Sequence, residues 1–111
     1  CRDTDQPAAA LVKDLAQRGM LEDTVVLWMS EFGRTVFAQG DTSQKTGWGR
    51  DHLGSVYSVW AAGGGFKGGN VYGASDDFAY NVAKDPVHVH DLQATLLALF
   101  GIEHTQLTYR Y

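Results

Sequence analysis

The sequence lacks a cysteine pair, a long apolar run and an excess of basic charge. A single cysteine, Cys1, excludes an internal disulfide and a metal cluster made of cysteines alone. No apolar stretch approaches the ~18 residues of a membrane helix, so no membrane span is predicted. Acidic side chains outnumber basic ones by 13 to 9, which argues against a nucleic-acid-binding face.

The length and composition are those of a globular chain. With 111 residues, 44% of them hydrophobic and 20% charged, the sequence is one domain or a piece of one and is long enough to carry a core. It begins with Cys rather than Met and shows no signal-like segment. We therefore expect residues 1–111 to be the C-terminal portion of a single larger domain.

Two amphipathic segments predict helices. The first has Asp5 as its expected N-cap and Gly19 as its left-handed C-cap. The second is predicted from about Asp91, again an N-cap, to Phe100, and Gly101 should end it. The apolar stripe of the first helix follows helical spacing. Its members are Ala8, Leu11, Val12 and Leu15.

The strand signals predict an α/β fold. Thr24–Ser30 is continuously apolar, as in a parallel-type strand covered on both faces, and Ser55–Ala62 reads as a second strand. Between them, residues 31–51 show no clear element, and long loops of this kind are usually functional or disordered. Gly63–Gly69 predicts a turn or hairpin. Its Lys67 is not followed by Ser or Thr, which argues against a phosphate-binding loop.

Glu31 directly follows the first predicted strand, at the sheet edge where open α/β folds bind ligands. It opens the segment Glu31-Phe-Gly-Arg-Thr35, in which a carboxylate can bind a cation and Arg34 can grip an oxyanion with two parallel hydrogen bonds. The alternative interpretation is an exposed ion pair at a strand end, which is a common and weak interaction.

Two further segments contain histidine beside aspartate. Asp51 and His52 could ligate one metal, or one could orient the other, and the alternative is a polar loop entering a strand. His88 and His90 alternate, so a strand would place both imidazoles on one face, close enough to share a metal. Capping by Asp91 and a strand-to-helix junction explain the same residues without a metal.

The ordered segments of the chain resemble one known family. The similarity runs over nearly all 111 residues, and the chain resembles the C-terminal third of the family called domain of unknown function 1501. The segments that carry the resemblance are Asp5-Gln-Pro-Ala-Ala-Ala-Leu, Arg18-Gly-Met-Leu-Glu-Asp-Thr-Val-Val, Glu31-Phe-Gly-Arg-Thr35, Gly49-Arg-Asp-His52, Ala62-Gly-Gly-Gly-Phe-Lys-Gly-Gly69, Val71-Tyr-Gly-Ala-Ser-Asp76, His90-Asp-Leu-Gln-Ala-Thr95 and Leu107-Thr-Tyr-Arg-Tyr111.

The resemblance implies a fold and a chemistry. The family is placed in the alkaline phosphatase and sulfatase superfamily, which implies a layered α/β fold, a divalent metal such as zinc, and hydrolysis of small phosphate or sulfate esters. By position, Glu31 and His52 match metal ligands, and Asp51 is a further ligand or a supporting group. Arg34 and Arg50 are candidates for holding the anion, on their chemistry rather than on the resemblance. Export signals in family members suggest a periplasmic or extracellular location.

The sequence also departs from the family pattern. Phe32 stands where metal-binding relatives have His or Asn, and Leu53 and Gln93 stand where the family usually has His. The nucleophile and the ligands of the first metal would come from the missing N-terminal part of the domain, the chain's expected partner. These departures motivate an alternative hypothesis, a secreted binding or scaffold module that has lost catalysis.

Overall fold

The structure is a computed structural model that describes residues 2–43 and 47–110. In that part of the chain, no helix is both long and apolar enough to cross a bilayer. The elements among these residues, in chain order, are helix α1 (Arg2–Gln17), strands β1 (Val26–Trp28), β2 (Gly33–Gln39), β3 (Gly49–Leu53), β4 (Trp60–Ala62), β5 (Ala74–Ser75) and β6 (Val82–Lys84), helix α2 (Val89–Leu99) and a 3-10 turn (His104–Gln106).

The chain divides into two compact units. One comprises Cys1–Val26, Ala61–Asn70 and Val87–Tyr111, and contains both helices and the glycine-rich turn. The other comprises Leu27–Trp60 and Val71–Pro86, and contains the β2–β3 and β5–β6 pairs.

Helix α1 confirms the first predicted helix and corrects its start. The helix already includes Arg2, so Asp5 lies in its first turn rather than at the N-cap, where its negative charge favours the positive end of the helix dipole. The end is as predicted. Gly19 has φ +69°, and the N–H groups of Gly19 and Met20 bond the carbonyls of Ala16 and Leu15, which is the Schellman arrangement.

Helix α2 is confirmed with a different N-cap. His88, not Asp91, is the capping residue, and its imidazole accepts a hydrogen bond from the His90 N–H. The Asp91 carboxylate accepts the His88 N–H at 2.9 Å, which completes a capping box. The sequence suggested Asp91 because aspartate is a preferred cap, but it acts from the third helical position. Gly101, at φ +75°, ends the helix as predicted.

The glycine-rich segment is a turn, as predicted, and its glycines permit close packing. A methyl group added to Gly63 would overlap the carbonyl oxygens of Thr24 and Leu21, and one added to Gly64 would overlap the Val25 side chain. The Gly64 N–H also bonds the Leu21 carbonyl at 2.9 Å. The glycines therefore bring this turn against the backbone that precedes β1.

The predicted fold class, a layered α/β fold with a parallel-type strand, is wrong for the described residues. Strands β2 and β3 pair antiparallel, as do β5 and β6, and each sheet, including the one formed by β1 and β4, has two strands. The continuous apolar run at Thr24–Ser30 suggested burial on both faces. The structure forms a strand over only three of these residues, and Trp28 at its end is 44% exposed.

Two further strand predictions change in extent. The predicted strand Ser55–Ala62 is reduced to β4, and the segment 31–51, predicted to lack an element, contains β2 and the first residues of β3. The hairpin was missed because its connection, residues 40–48, is longer than the two to five residues that mark a hairpin in sequence.

Apolar burial is partial throughout the described chain. No hydrophobic side chain among these residues is fully buried, although the length predicted a core. The apolar positions of α1 are half-buried at Ala8, Val12 and Leu15, and Leu11 is 51% exposed. The side chain of Thr35, only 5% exposed, is the buried exception in the described part, and it lies on β2.

The β2–β3 hairpin contains two glycines, Gly33 and Gly49, that differ in how closely other atoms approach them. A Cβ at Gly33 would overlap the Val56 carbonyl oxygen, whereas a Cβ at Gly49 has nothing within 4 Å. We expect Gly33→Ala to lower the free energy of unfolding by about 1–3 kcal/mol through overpacking. Gly49→Ala should change it by less than about 0.5 kcal/mol. Urea unfolding followed by tryptophan fluorescence measures both, and equal effects would contradict the close approach at Gly33.

Candidate functional site

The β2–β3 hairpin carries the residues that the sequence singled out. Its strands pair with Gly33 opposite Leu53, Arg34 opposite His52 and, further along, Ala38 opposite Arg50. Directly opposed residues of an antiparallel pair have neighbouring side chains. The register therefore places the side chains of Arg34 and His52 next to each other on one face of the hairpin.

A bulge interrupts the hairpin between these pairs. Residues 35–37 of β2 lie opposite a single residue, Asp51, so β2 carries two extra residues. The buried Thr35 hydroxyl accepts a hydrogen bond from the Phe37 N–H at 3.2 Å. The Arg50 Nε donates to the Thr35 carbonyl oxygen. Bulges next to functional sites redirect side chains, and this one separates Arg34 and His52 from the rest of the hairpin.

Phe32 lies against both members of the pair. Its ring centre is 4.1 Å from that of His52, with the planes tilted by 32°, and 5.4 Å from the guanidinium carbon of Arg34. The second distance is within the range of a cation–π interaction. From the sequence, Phe32 is identified only as a residue that replaces a metal ligand of the family pattern. No sequence pattern predicts the contact of Phe32 with His52, because the contact depends on the register of the two strands.

Glu31 lies two residues before β2, not at the end of a buried parallel strand, and it is fully exposed. Hydrogen bonds from its own backbone N–H and from the Ser30 hydroxyl, at 3.2 Å, lower the pKa of its carboxyl, and the charges of Arg34 and His52 lower it further. Glu31 is therefore close enough to Arg34 and His52 for their charges to act on its carboxyl group. Ser30 is a site residue that is not predicted from the sequence.

Asp51 is engaged differently from its neighbour His52. Its carboxylate Oδ1 accepts the backbone N–H of His52 at 2.8 Å. Successive side chains of a strand point to opposite faces, so Asp51 is not expected to share the face of His52. The predicted ligand group is thus divided: the charge of His52 acts on the Glu31 carboxyl, whereas Asp51 bonds to the main chain.

The two arginines predicted to hold an anion both bond the hairpin backbone. Arg34 Nη1 donates to the Arg50 carbonyl oxygen at 3.1 Å, and the Arg50 Nε bond to Thr35 closes the bulge. A guanidinium has five N–H donors, so each of these bonds uses only one of them. Both side chains are exposed.

A zinc site needs more ligands than this hairpin assembles. Across residues 2–43 and 47–110, no group of three His, Cys, Asp or Glu side chains is arranged to hold a metal ion. Protein zinc sites use three or four ligands. The described residues alone therefore do not fit a complete zinc site, and Glu31 with His52 would form part of one at most.

The described residues form two helices and antiparallel strand pairs. One of these pairs, the β2–β3 hairpin, carries the ionisable side chains of Arg34, Arg50, Asp51 and His52. A family model described as Protein of unknown function (DUF1501) matches residues 1–111, so the chain belongs to that family. This confirms the family resemblance read from the sequence. No curated protein and no solved structure matches the chain.

The contact between Phe32 and His52 predicts a ring-current effect. In the wild-type chain, the Phe32 ring should displace the imidazole proton resonances of His52 from their usual positions, because the ring centres are 4.1 Å apart. Phe32→Leu should return them to ordinary histidine values, whereas Phe32→Tyr, which keeps the ring, should not. Proton NMR measures both variants, and unchanged shifts in Phe32→Leu would contradict the stack.

The lowered pKa of Glu31 predicts a pH effect of known sign. Because the folded-state pKa lies below the unfolded value, the ionised carboxylate stabilises the fold above the ordinary glutamate pKa, and this contribution is lost as pH falls through the folded-state pKa. Ser30→Ala should move the pKa of Glu31 upward without restoring it fully, since the backbone N–H remains.

Carbon NMR of the side-chain carboxyls measures this titration. Glu103 is an internal control, because the backbone N–H and hydroxyl of Thr105 lower the pKa of its carboxyl independently of Ser30. An unchanged Glu31 titration in Ser30→Ala, with Glu103 also unchanged, would contradict the role of the hydroxyl.

Proposed function

We propose that this chain is part of a metal-dependent hydrolase of small phosphate or sulfate esters and that the β2–β3 hairpin forms its anion-binding edge. The observation that carries the proposal is the pairing of Arg34 with His52 beside the ionised Glu31. The family resemblance adds the alkaline phosphatase and sulfatase superfamily, in which Glu31 and His52 match metal ligands by position.

The arginines supply the chemistry of anion recognition. A guanidinium can donate two parallel hydrogen bonds to a phosphate or sulfate and can stabilise negative charge that develops on the ester oxygens. Arg34 is anchored by its bond to the Arg50 carbonyl and lies near the Phe32 ring, so its position is partly fixed before an anion binds. Preorganised donors of this kind lose little entropy when they bind an anion.

The metal would require ligands from outside the described residues. A bound divalent cation polarises an ester oxygen and activates a nucleophile. Glu31 and His52 are the residues of this chain proposed to help hold the cation. Asp51 would support His52 by accepting its backbone N–H. We expect the remaining ligands and the nucleophile in the preceding part of the same domain.

One observation favours a second candidate function, a binding module without catalysis. Phe32 places an apolar ring against the His52 imidazole, where the family pattern has a ligand. An imidazole packed in this way can serve recognition of a carbohydrate or protein partner as readily as it can serve metal ligation. The two candidates differ in whether a longer member of the family retains a metal.

The test uses a longer DUF1501 protein that contains this region. Metal content by elemental mass spectrometry and hydrolysis of p-nitrophenyl phosphate and sulfate are compared for wild type and for glutamine substitutions at the positions of Glu31 and His52. A matched control changes the position of Glu103, which lies outside the hairpin. We expect each hairpin variant to lose at least tenfold in bound zinc or activity, and the control to match wild type.

Retention of wild-type metal and activity in both hairpin variants would contradict the proposal. A wild-type protein that holds no metal and hydrolyses neither ester, yet binds a carbohydrate or protein partner, would favour the binding module instead.

A further inference from the structure

His88 and His90 form a second cluster of possible metal ligands, separate in sequence and in structural unit from the hairpin. They lie at the start of α2, and both are exposed. Their ring centres are 4.7 Å apart, and the ring planes are at 67° to each other. The proposed function makes no use of them.

We propose that His88 and His90 form a two-histidine site for a late first-row divalent cation such as Ni²⁺ or Cu²⁺. Metal–nitrogen bonds are about 2.0–2.1 Å long, so two imidazoles bound to one ion at angles between square and tetrahedral have ring centres roughly 4.5–5.2 Å apart. The observed 4.7 Å lies within that range. One ion bound by both rings would therefore keep this separation, with one ring nitrogen of each imidazole turned toward the ion.

Binding requires a proton shift on His88. Its Nδ1 accepts the His90 N–H at 3.2 Å, so in the neutral ring the proton is on Nε2. When Nε2 binds the metal, the proton moves to Nδ1 and this cap bond opens, while no net proton is released. The other half of the capping box, from the His88 N–H to the Asp91 carboxylate, is retained.

Asp91 also makes the position suitable for a cation. A helix N-terminus carries partial positive charge, which by itself disfavours a metal ion. The Asp91 carboxylate lies within 2.9 Å of the His88 backbone nitrogen and supplies compensating negative charge. Imidazole ligands favour the late first-row metals, with affinity rising along the series toward Cu²⁺.

The site would leave coordination positions open. In the described ranges of the chain, no third His, Cys, Asp or Glu joins the pair to make a three-ligand group. Water molecules would complete the coordination, so the ion should be exchangeable rather than structural.

Titration of the whole 111-residue chain with Ni²⁺ tests the site, with calorimetry for affinity and amide NMR for location. His88→Asn keeps an acceptor at the helix N-cap, and His90→Gln leaves the His88 imidazole in place, so neither variant removes the cap. His104→Gln is the matched control, because His104 belongs to neither proposed site.

We expect Ni²⁺ to broaden the amide signals of residues 88–91 in the wild-type chain. Affinity should fall at least tenfold in His88→Asn and in His90→Gln, and should be unchanged in His104→Gln. Wild-type affinity in His88→Asn and His90→Gln, or broadening confined to other residues, would overturn the proposal. The proposed hydrolase function is tested at other residues, Glu31 and His52, so failure of this site leaves that function separately testable.

Discussion

The register of the β2–β3 hairpin is the constraint on which the candidate site depends. Because side chains alternate along a strand, a shift of one residue would turn His52 to the opposite face and separate it from Arg34. Side-chain bonds to the backbone hold the register. Arg34 bonds the Arg50 carbonyl, and Arg50 bonds the Thr35 carbonyl inside the bulge.

The arginines therefore connect the stability of the hairpin with the proposed anion site. The guanidinium groups that are proposed to hold an anion also form hydrogen bonds between the two strands. Replacing either arginine would therefore alter the fold and the site together. Glu31 and His52 make no such side-chain bond across the strands in the described residues, and they contribute through charge and ring contact. Changes at these two positions report on function more cleanly than changes at the arginines.

Local features were predictable from sequence because they depend on neighbouring residues. Gly19 and Gly101 end their helices because each must adopt a positive φ, and glycine does so without steric cost. The turn at residues 63–69 follows from its glycines in the same way. The family was also predictable, because many ordered motifs carry the resemblance.

Features that depend on distant residues were not predictable from the pattern. Phe32 and His52 are twenty positions apart and meet through the β2–β3 hairpin. That hairpin was not predicted, because its connection is longer than those that mark a hairpin in sequence. The apolar run at residues 24–30 suggested a parallel strand, but apolar character alone does not specify which strand pairs with it or in which direction. The N-cap of α2 was also not predictable, because aspartate suits both the N-cap and the third helical position. In the structure His88 is the N-cap and Asp91 occupies the third position.

The most direct test of the central claim is a carbon-edited NOESY spectrum of the labelled chain. The claim is that the hairpin brings the segment around Glu31 against His52. We expect cross-peaks between the ring protons of Phe32 and the imidazole protons of His52, because the two ring centres are 4.1 Å apart. Assigned rings with no cross-peak between them would contradict it, because the two halves of the candidate site would then not meet.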